Sequence, residues 1–277
     1  GPLSFSGKIV DDENYTYALK KIELQSGIVG VKDAKILLSG QVADLVSAKG
    51  INVTTQLDLA KLSDLSDLVG RELPALGPTN LSGNIIDFKD GYSVTALDVK
   101  TGVLGVSDAN IALTGKISDL LAAKGLDINF NLGVNTLTTL SPLLGKDLPA
   151  LSQVKLSGNI TDQNETYAIK AMNLQAGLAD VSNAKIGLTG QVADLLNVKG
   201  VDVVLNLDVE KLTELSKFMD QDLPDLPDLG PFKLTGNITD LKDSYTLKAM
   251  EIQAGVIGVK EAKIGLTGQV ADLVNVK

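Results

Sequence analysis

The side chains best suited to chemistry in this chain are carboxylates. Asp and Glu number 34 against 25 Lys and Arg, and the net charge is −9. Acidic runs recur, as Asp11-Asp12-Glu13-Asn14 and Thr161-Asp162-Gln163-Asn164-Glu165-Thr166. Oxygen donors of this kind could hold calcium, but the runs lack the donor spacing of a calcium loop and read better as solvated hairpin turns. The chain has no His and no Cys, so the commonest general base, the thiol nucleophile and the usual zinc and copper ligands are missing. A carboxylate-only mechanism would need two acids converging in a pocket. The strand alternation described below sends most acids to the outward face. The chain therefore reads as a non-enzyme without cofactor or metal. The acidic balance also argues against a nucleic-acid partner, which needs a basic surface. The triplet Asn159-Ile160-Thr161 suits a strand and turn better than a glycan acceptor. The stretch DLPDLPDLGP (Asp222–Pro231) reads as an extended linker.

Those residues are positioned by a repeat. KIGLTGQVADL stands at Lys185–Leu195 and again at Lys263–Leu273, with looser copies at Lys35–Leu45 and Asn110–Leu120. Glycines of a second signature, Gly7, Gly83, Gly158 and Gly236, are 76, 75 and 78 residues apart. Self-similarity of this period marks a repeat architecture. The boundaries are 1–76, 77–151, 152–229 and a partial fourth copy at 230–277, together one continuous repeat domain. No obvious capping unit stands at either end, so the chain reads as an excerpt from a longer array. No run of 18 or more apolar residues occurs, so no spanning helix is expected.

Each copy holds four strands. The first is short (LSGNI), the second is of the type Tyr92–Val99 or Tyr167–Leu174, the third is the quoted stretch, and the fourth alternates as in Ile128, Phe130, Leu132 and Val134. Period-two alternation is the mark of a half-buried strand. The second strand slips phase at Lys21/Ile22, Ala96/Leu97, Ala171/Met172 and Ala249/Met250. One extra residue at a fixed place predicts a β-bulge in every copy. After the fourth strand the period becomes three: Leu62, Leu65, Leu68; Leu137, Leu140, Leu143; Leu212, Leu215, Phe218. This predicts a short amphipathic helix packed on the sheet, stopped near Gly70 and Gly145, with Asp220 in place of glycine in the third copy.

The expected fold class is mainly β: an elongated, curled sheet of about 75-residue repeats, each about four strands and one short helix. About fifteen strands of about six residues would give a sheet roughly 70 Å by 20 Å. One face would then present on the order of 1,400 Å² of aliphatic surface, more than a soluble monomer usually exposes. A sealed core, a covering partner or lipid would each resolve this. Aromatics are only 4%, and an Ile/Leu/Val wall suits either tight packing or contact with acyl chains.

The string LPDLGPFKLTGNITDLKDSYTLKAMEIQAG (Leu226 neighbourhood to Gly255) recurs as LPALGPTNLSGNIIDFKDGYSVTALDVKTG (Leu73–Gly102) and LPALSQVKLSGNITDQNETYAIKAMNLQAG (Leu148–Gly177). In this order of parts the chain resembles the AsmA-like family of bridge-like lipid transfer proteins over essentially its whole length. The resemblance implies a hydrophobic β-groove that binds and conducts phospholipid acyl chains through the periplasm of a diderm bacterial envelope, between the inner and outer membranes. It implies a groove lining on the apolar parity of each strand: Ile36, Leu38, Val42, Val53 and Leu57 in copy one, and Ile85, Val94, Ile111, Leu113, Ile117, Ile128, Phe130 and Leu132 in copy two. The equivalents are Ile160, Ile169, Ile186, Leu188, Val192, Val203, Leu205 and Leu207 in copy three, and Ile238, Leu247, Ile264, Leu266 and Val270 in copy four. Expected partners are phospholipid or another acyl-chain lipid, with edge-to-edge self-association or membrane-anchored flanking regions as further possibilities. The alternative is a structural or adhesive array with a sealed aliphatic core and no ligand.

Overall fold

A computed structural model describes residues 3–11, 17–88, 91–163, 166–215, 229–241, 244–259 and 262–273. The first repeat supplies β1 (Ser4–Asp11), β2 (Tyr17–Ile28), β3 (Val31–Asp44) and β4 (Lys49–Leu59). The second supplies β5 (Leu76–Phe88), β6 (Gly91–Val103), β7 (Val106–Asp119) and β8 (Lys124–Thr136). The third supplies β9 (Leu151–Gln163), β10 (Thr166–Leu178), β11 (Lys185–Asp194) and β12 (Lys199–Val209). The last supplies β13 (Leu229–Leu241), β14 (Ser244–Val256) and β15 (Lys263–Val270). All 15 strands belong to one sheet in chain order, an open meander with β1 and β15 last on either side. Contacts divide the chain into two compact units, Gly1–Asn131 and Leu132–Lys277, and the ladders below are described within each.

The strands are longer than the sequence suggests. They run to 13 or 14 residues in β5, β6 and β7, so each reaches about 44 Å rather than about 20 Å. The signature glycine looks like the end of the first strand in the sequence, and the phase slip like a bulge within the second. In the fold they lie inside the strands, at the bulge. The register shifts between Leu19 and Ile22, Val94 and Leu97, Ile169 and Met172, and Leu247 and Met250. Lys21, Ala96, Ala171 and Ala249 there have φ of 55°, 51°, 50° and 47°. A left-handed residue in one strand opposite a single residue in the next is how a bulge absorbs its extra length.

The recurring glycines make room on both sides of that bulge. Leu97 faces Gly115 and Met172 faces Gly190. A Cβ on Gly83 would come within 3.0 Å of the Val94 side chain, and one on Gly236 would crowd Leu247. Beyond β11, a Cβ on Gly190 would overlap the Asp202 carbonyl oxygen and lie 2.8 Å from Val203 Cα. The twofold signature, Ser/Thr-Gly in one strand and Ser/Thr-Gly or Thr-Gly-Gln/Lys in another, is thus a packing requirement of the sheet.

One set of buried residues lies toward the end of the strands that carries the helical turns, and a second, including Ala18, Ser93, Val94, Ala168, Thr246 and Leu247, lies on the other side of the bulges. To the first set the first unit contributes Leu59, Thr79, Thr101, Val103 and Ala109, and the second Val134, Leu140, Val154, Ala176, Val209 and Phe232. A 3-10 turn at Leu62–Leu65 runs into α1 (Ser66–Val69), and Leu137–Leu140 runs into α2 (Ser141–Leu144). Gly70 and Gly145 end them with φ of 69° and 64°, the left-handed cap expected of glycine. A third 3-10 turn covers Leu212–Glu214; Phe218 and Asp220 lie outside the described residues. Leu140 is buried and Leu62, Leu65, Leu137 and Leu143 are half-buried, but Leu68 is 61% exposed. The leucine stripe therefore packs through its first two members in the first copy and leaves the third in water, whereas in the second copy all three are at least half-buried.

Candidate functional site

Directly paired residues in an antiparallel ladder share a face, so the registers sort the side chains without ambiguity. In the first unit one row runs Ile36–Leu57–Leu81–Val99–Leu113, and a second runs Gly40–Val53–Ile85–Val94–Ile117. Leu38 joins the same face between Leu24 and Thr55, Val42 between Leu19 and Ile51, and Ile111 opposite Thr101. Ile128 and Phe130 alternate along β8, with Phe130 buried.

The second unit repeats the pattern. Its rows are Ala176–Ile186–Leu207–Leu234–Ile252–Leu266 and Leu156–Leu174–Leu188–Leu205–Gly236. A third is Gly190–Val203–Ile238–Leu247–Val270, and a fourth joins Ile160, Ile169 and Val192. Ile264 extends the face from Ala254, and Leu132 occupies the same alternation at the start of this unit. The residues expected to line the aliphatic face thus lie on the apolar alternation of their strands, and those placed in the rows above fall on one face of their unit.

Sequence reasoning left out members of three rows. Leu81, Val99, Leu156, Leu174, Leu234 and Ile252 stand on the same face, interleaved with the expected residues. The available signal was the phase slip itself. A bulge reverses the parity, so Val99 and Val94 share a face although five positions separate them, an odd number. Counting parity straight through the slip hides Val99, Leu174 and Ile252, whereas Leu81, Leu156 and Leu234 keep the parity of Ile85, Ile160 and Ile238 on their own strands.

The opposite face is polar. Asn80 Nδ2 donates to Asp58 Oδ1 at 2.6 Å, and Lys233 pairs with Asp208 at 3.2 Å. Lys155, Gln175, Gly187, Asn206 and Thr235 form one polar row of the second unit. The surface depressions lie on this side. One of about 830 Å³ is lined by Lys155, Gln175, Lys185 and Asn206, and one of about 840 Å³ in the first unit by Asn80, Lys100 and Asn110. The small residues Ala112 and Gly187 are among their linings. The aliphatic rows form a strip, not an enclosed cavity. Most of their members are half-buried, and among the described residues the strands form a single sheet with no second one. The chain keeps 17,324 Å² of accessible surface, against about 11,000 Å² for a compact chain of this mass.

Carboxylates act as turn clasps. Asp44 accepts from Val46 N at 2.9 Å and Ser47 N at 3.2 Å, and from the Ser47 hydroxyl. These bonds, the hydroxyl's first, hold its carboxyl below the ordinary range. Asp194 accepts from Asn197 Nδ2 at 2.8 Å, Thr166 Oγ1 at 2.6 Å, Asn197 N at 3.1 Å and Leu196 N at 3.0 Å. Those donors, led by the two side chains, pull it down to about 2. Asp87 receives Gly50 N and Ile51 N, and Asp240 receives Gly200 N and Val201 N. A carboxylate spent on turn amides is not free to hold an ion. Among the described residues no group of three or more acids gathers as a metal site. Residues 12–16 and 164–165 of the two acidic runs lie outside the described residues. Among the described residues no helix is long and apolar enough to cross a membrane.

In comparisons with known proteins, no family model, no curated protein and no solved structure matches this chain.

Proposed function

We propose that the aliphatic face binds the acyl chains of phospholipid and serves as a passive conduit of the AsmA-like kind in the periplasm of a diderm bacterium. The observation that carries this reading is the set of mainly Leu/Ile/Val rows running across the strands, uninterrupted from Ile36 to Leu113, with no second sheet among the described residues. The row from Ile36 to Leu113 spans five strands, or about 19 Å at ~4.8 Å per step. One leaflet of a bilayer contributes about 15 Å of hydrocarbon, so a row accommodates one acyl chain. A chain lying on the strip leaves water on one side only, gaining about half of ~0.8 kcal/mol per methylene. For about sixteen carbons that is ~6 kcal/mol, or a dissociation constant in the tens of micromolar. Such contact retains a lipid and, being non-directional, lets it slide. The headgroup stays in water.

The test is uptake of a phospholipid bearing an environment-sensitive fluorophore on its acyl chain. Leu113→Asp breaks a row of the apolar face, whereas Asn206→Asp alters the polar face at the same cost in charge. Blue-shifted, saturable emission lost only in Leu113→Asp supports the reading. Equal uptake by both variants, or none by the parent, sinks it.

A further inference from the structure

The hairpin tips between β3 and β4, β7 and β8, and β11 and β12 are built alike. Residues 45–48, 120–123 and 195–198 form four-residue turns. Each opens with two adjacent aliphatic residues, Leu45-Val46, Leu120-Leu121 or Leu195-Leu196, and each is followed by a lysine, Lys49, Lys124 or Lys199. The second aliphatic residue faces water in every one: Val46 is 77% exposed, Leu121 72% and Leu196 70%. The three lysines are exposed as well. Turns ordinarily carry Gly, Pro, Asn, Asp or Ser at such places.

The acid of each turn is directed inward. Asp44 accepts from Val46 N, Asp119 from Ala122 N at 3.0 Å, and Asp194 from Leu196 N. Ala48, Ala123 and Val198 close the turns with φ of 52°, 51° and 51°. The carboxylates thus meet the turn amides, while the aliphatic side chains and the lysines are left to the outside. The opposite end of the strands shows no such recurrence. Val29 is 89% exposed there, but its counterparts in the next two copies are the half-buried Leu104 and Ala179.

We infer that these hairpin tips are contacts with the surface of a phospholipid bilayer. Val46, Leu121 and Leu196 enter the boundary between headgroups and acyl chains, and the lysine of each tip stays level with the phosphates. In the first unit the two tips stand at the same end of the strands, four strands apart in the sheet, or about 19 Å. Two side chains per tip at that separation are not the contiguous patch of about 1,000 Å² that a stable protein interface requires. A fluid bilayer has no such requirement. Each apolar point gains by its own burial, and a lysine beside it gains by attraction to anionic headgroups. These contacts lie at the strand ends and do not require that the aliphatic sheet face bind acyl chains.

The experiment is flotation of the whole chain with vesicles of phosphatidylcholine, alone or mixed with phosphatidylglycerol. The parent should float with both, and better with the mixture. Val46→Asn/Leu121→Asn/Leu196→Asn should lower partitioning at least tenfold. Its far-ultraviolet circular dichroism should stay unchanged, because the replaced side chains are exposed. Lys49→Gln/Lys124→Gln/Lys199→Gln should lose only the gain from phosphatidylglycerol. Val29→Asn/Leu68→Asn/Leu144→Asn removes as many exposed aliphatic side chains from the other end and should float as the parent does. Leu113→Asp, which breaks the aliphatic face, should float as the parent does too, which separates this contact from uptake of an acyl chain. A parent that does not float overturns the proposal and leaves the tips to a protein partner. So does a tip variant that floats like the parent, a loss confined to Leu113→Asp, or a loss in the opposite-end variant as large as in the tip variant.

Discussion

Replacing Gly190 by Ala is the sharpest probe of the ladder geometry. At φ 151° a Cβ carries a backbone penalty of about 1–3 kcal/mol. The added carbon would also overlap the Asp202 carbonyl oxygen and sit 2.8 Å from Val203 Cα and 3.0 Å from Asp202 C. All three are main-chain atoms, so β11 and β12 must part locally and weaken at least one ladder hydrogen bond, at about 1 kcal/mol. The sum is about 3 kcal/mol, or a melting shift of about 6–12 °C if the chain unfolds as a unit. In a repeat fold the loss can be local, so amide exchange across β11 and β12 is followed beside the melt. Two controls isolate the causes. Gly30 has φ 81° and nothing within 4 Å of a Cβ, so Gly30→Ala should cost only about 1 kcal/mol, from the backbone alone. Gly268→Ala, the same motif on an open edge, should change stability by less than about 0.5 kcal/mol. Equal losses at Gly190 and Gly268 would refute the reasoning, since they would show that the neighbouring strand is not the cause.

Three smaller predictions follow from single sites. Thr55 lies in the aliphatic rows between Leu38 and Gly83, and its buried hydroxyl has no partner. Thr55→Val should raise stability by about 1 kcal/mol in urea titration. Ala171 sits in the left-handed region at the bulge, so Ala171→Gly should gain up to about 1 kcal/mol, the steric relief exceeding the entropy of the freer chain. Asp194 is depressed to about 2 from an ordinary 3.8. Its clasp thus stabilises the fold above about pH 4 and loses effect as pH falls toward 2. The urea midpoint gap between parent and Asp194→Asn should be wide at pH 6 and close by pH 2.

Much of this fold was legible because the alternation is clean and the repeat states it more than once. The copies of KIGLTGQVADL gave the third strands, and the slip at Ala96/Leu97 and its equivalents gave the bulges. Gly70 and Gly145 gave the helix ends. Strand length was not legible, because Gly83 resembles a terminator until its partners are known. Ala and Lys are ordinary β-face residues by type; nothing in the sequence marks Lys21, Ala96, Ala171 or Ala249 as left-handed. Which face a post-bulge residue joins depends on register, so Val99 and Leu174 were missed although their neighbours were found. The depressions on the polar face were also invisible, since their linings, Ala112 and Gly187 among them, come together only through register. The aliphatic lining was visible as a pattern. That it stays half-buried and uncovered is a tertiary fact.

Native mass spectrometry of the purified chain, followed by organic extraction of whatever accompanies it, tests the central claim most directly. The account expects adducts of phospholipid mass on the parent, and their loss from a folded Leu113→Asp/Leu188→Asp variant in which two rows are broken. A folded parent that carries no lipid and takes up none from added phospholipid would contradict it.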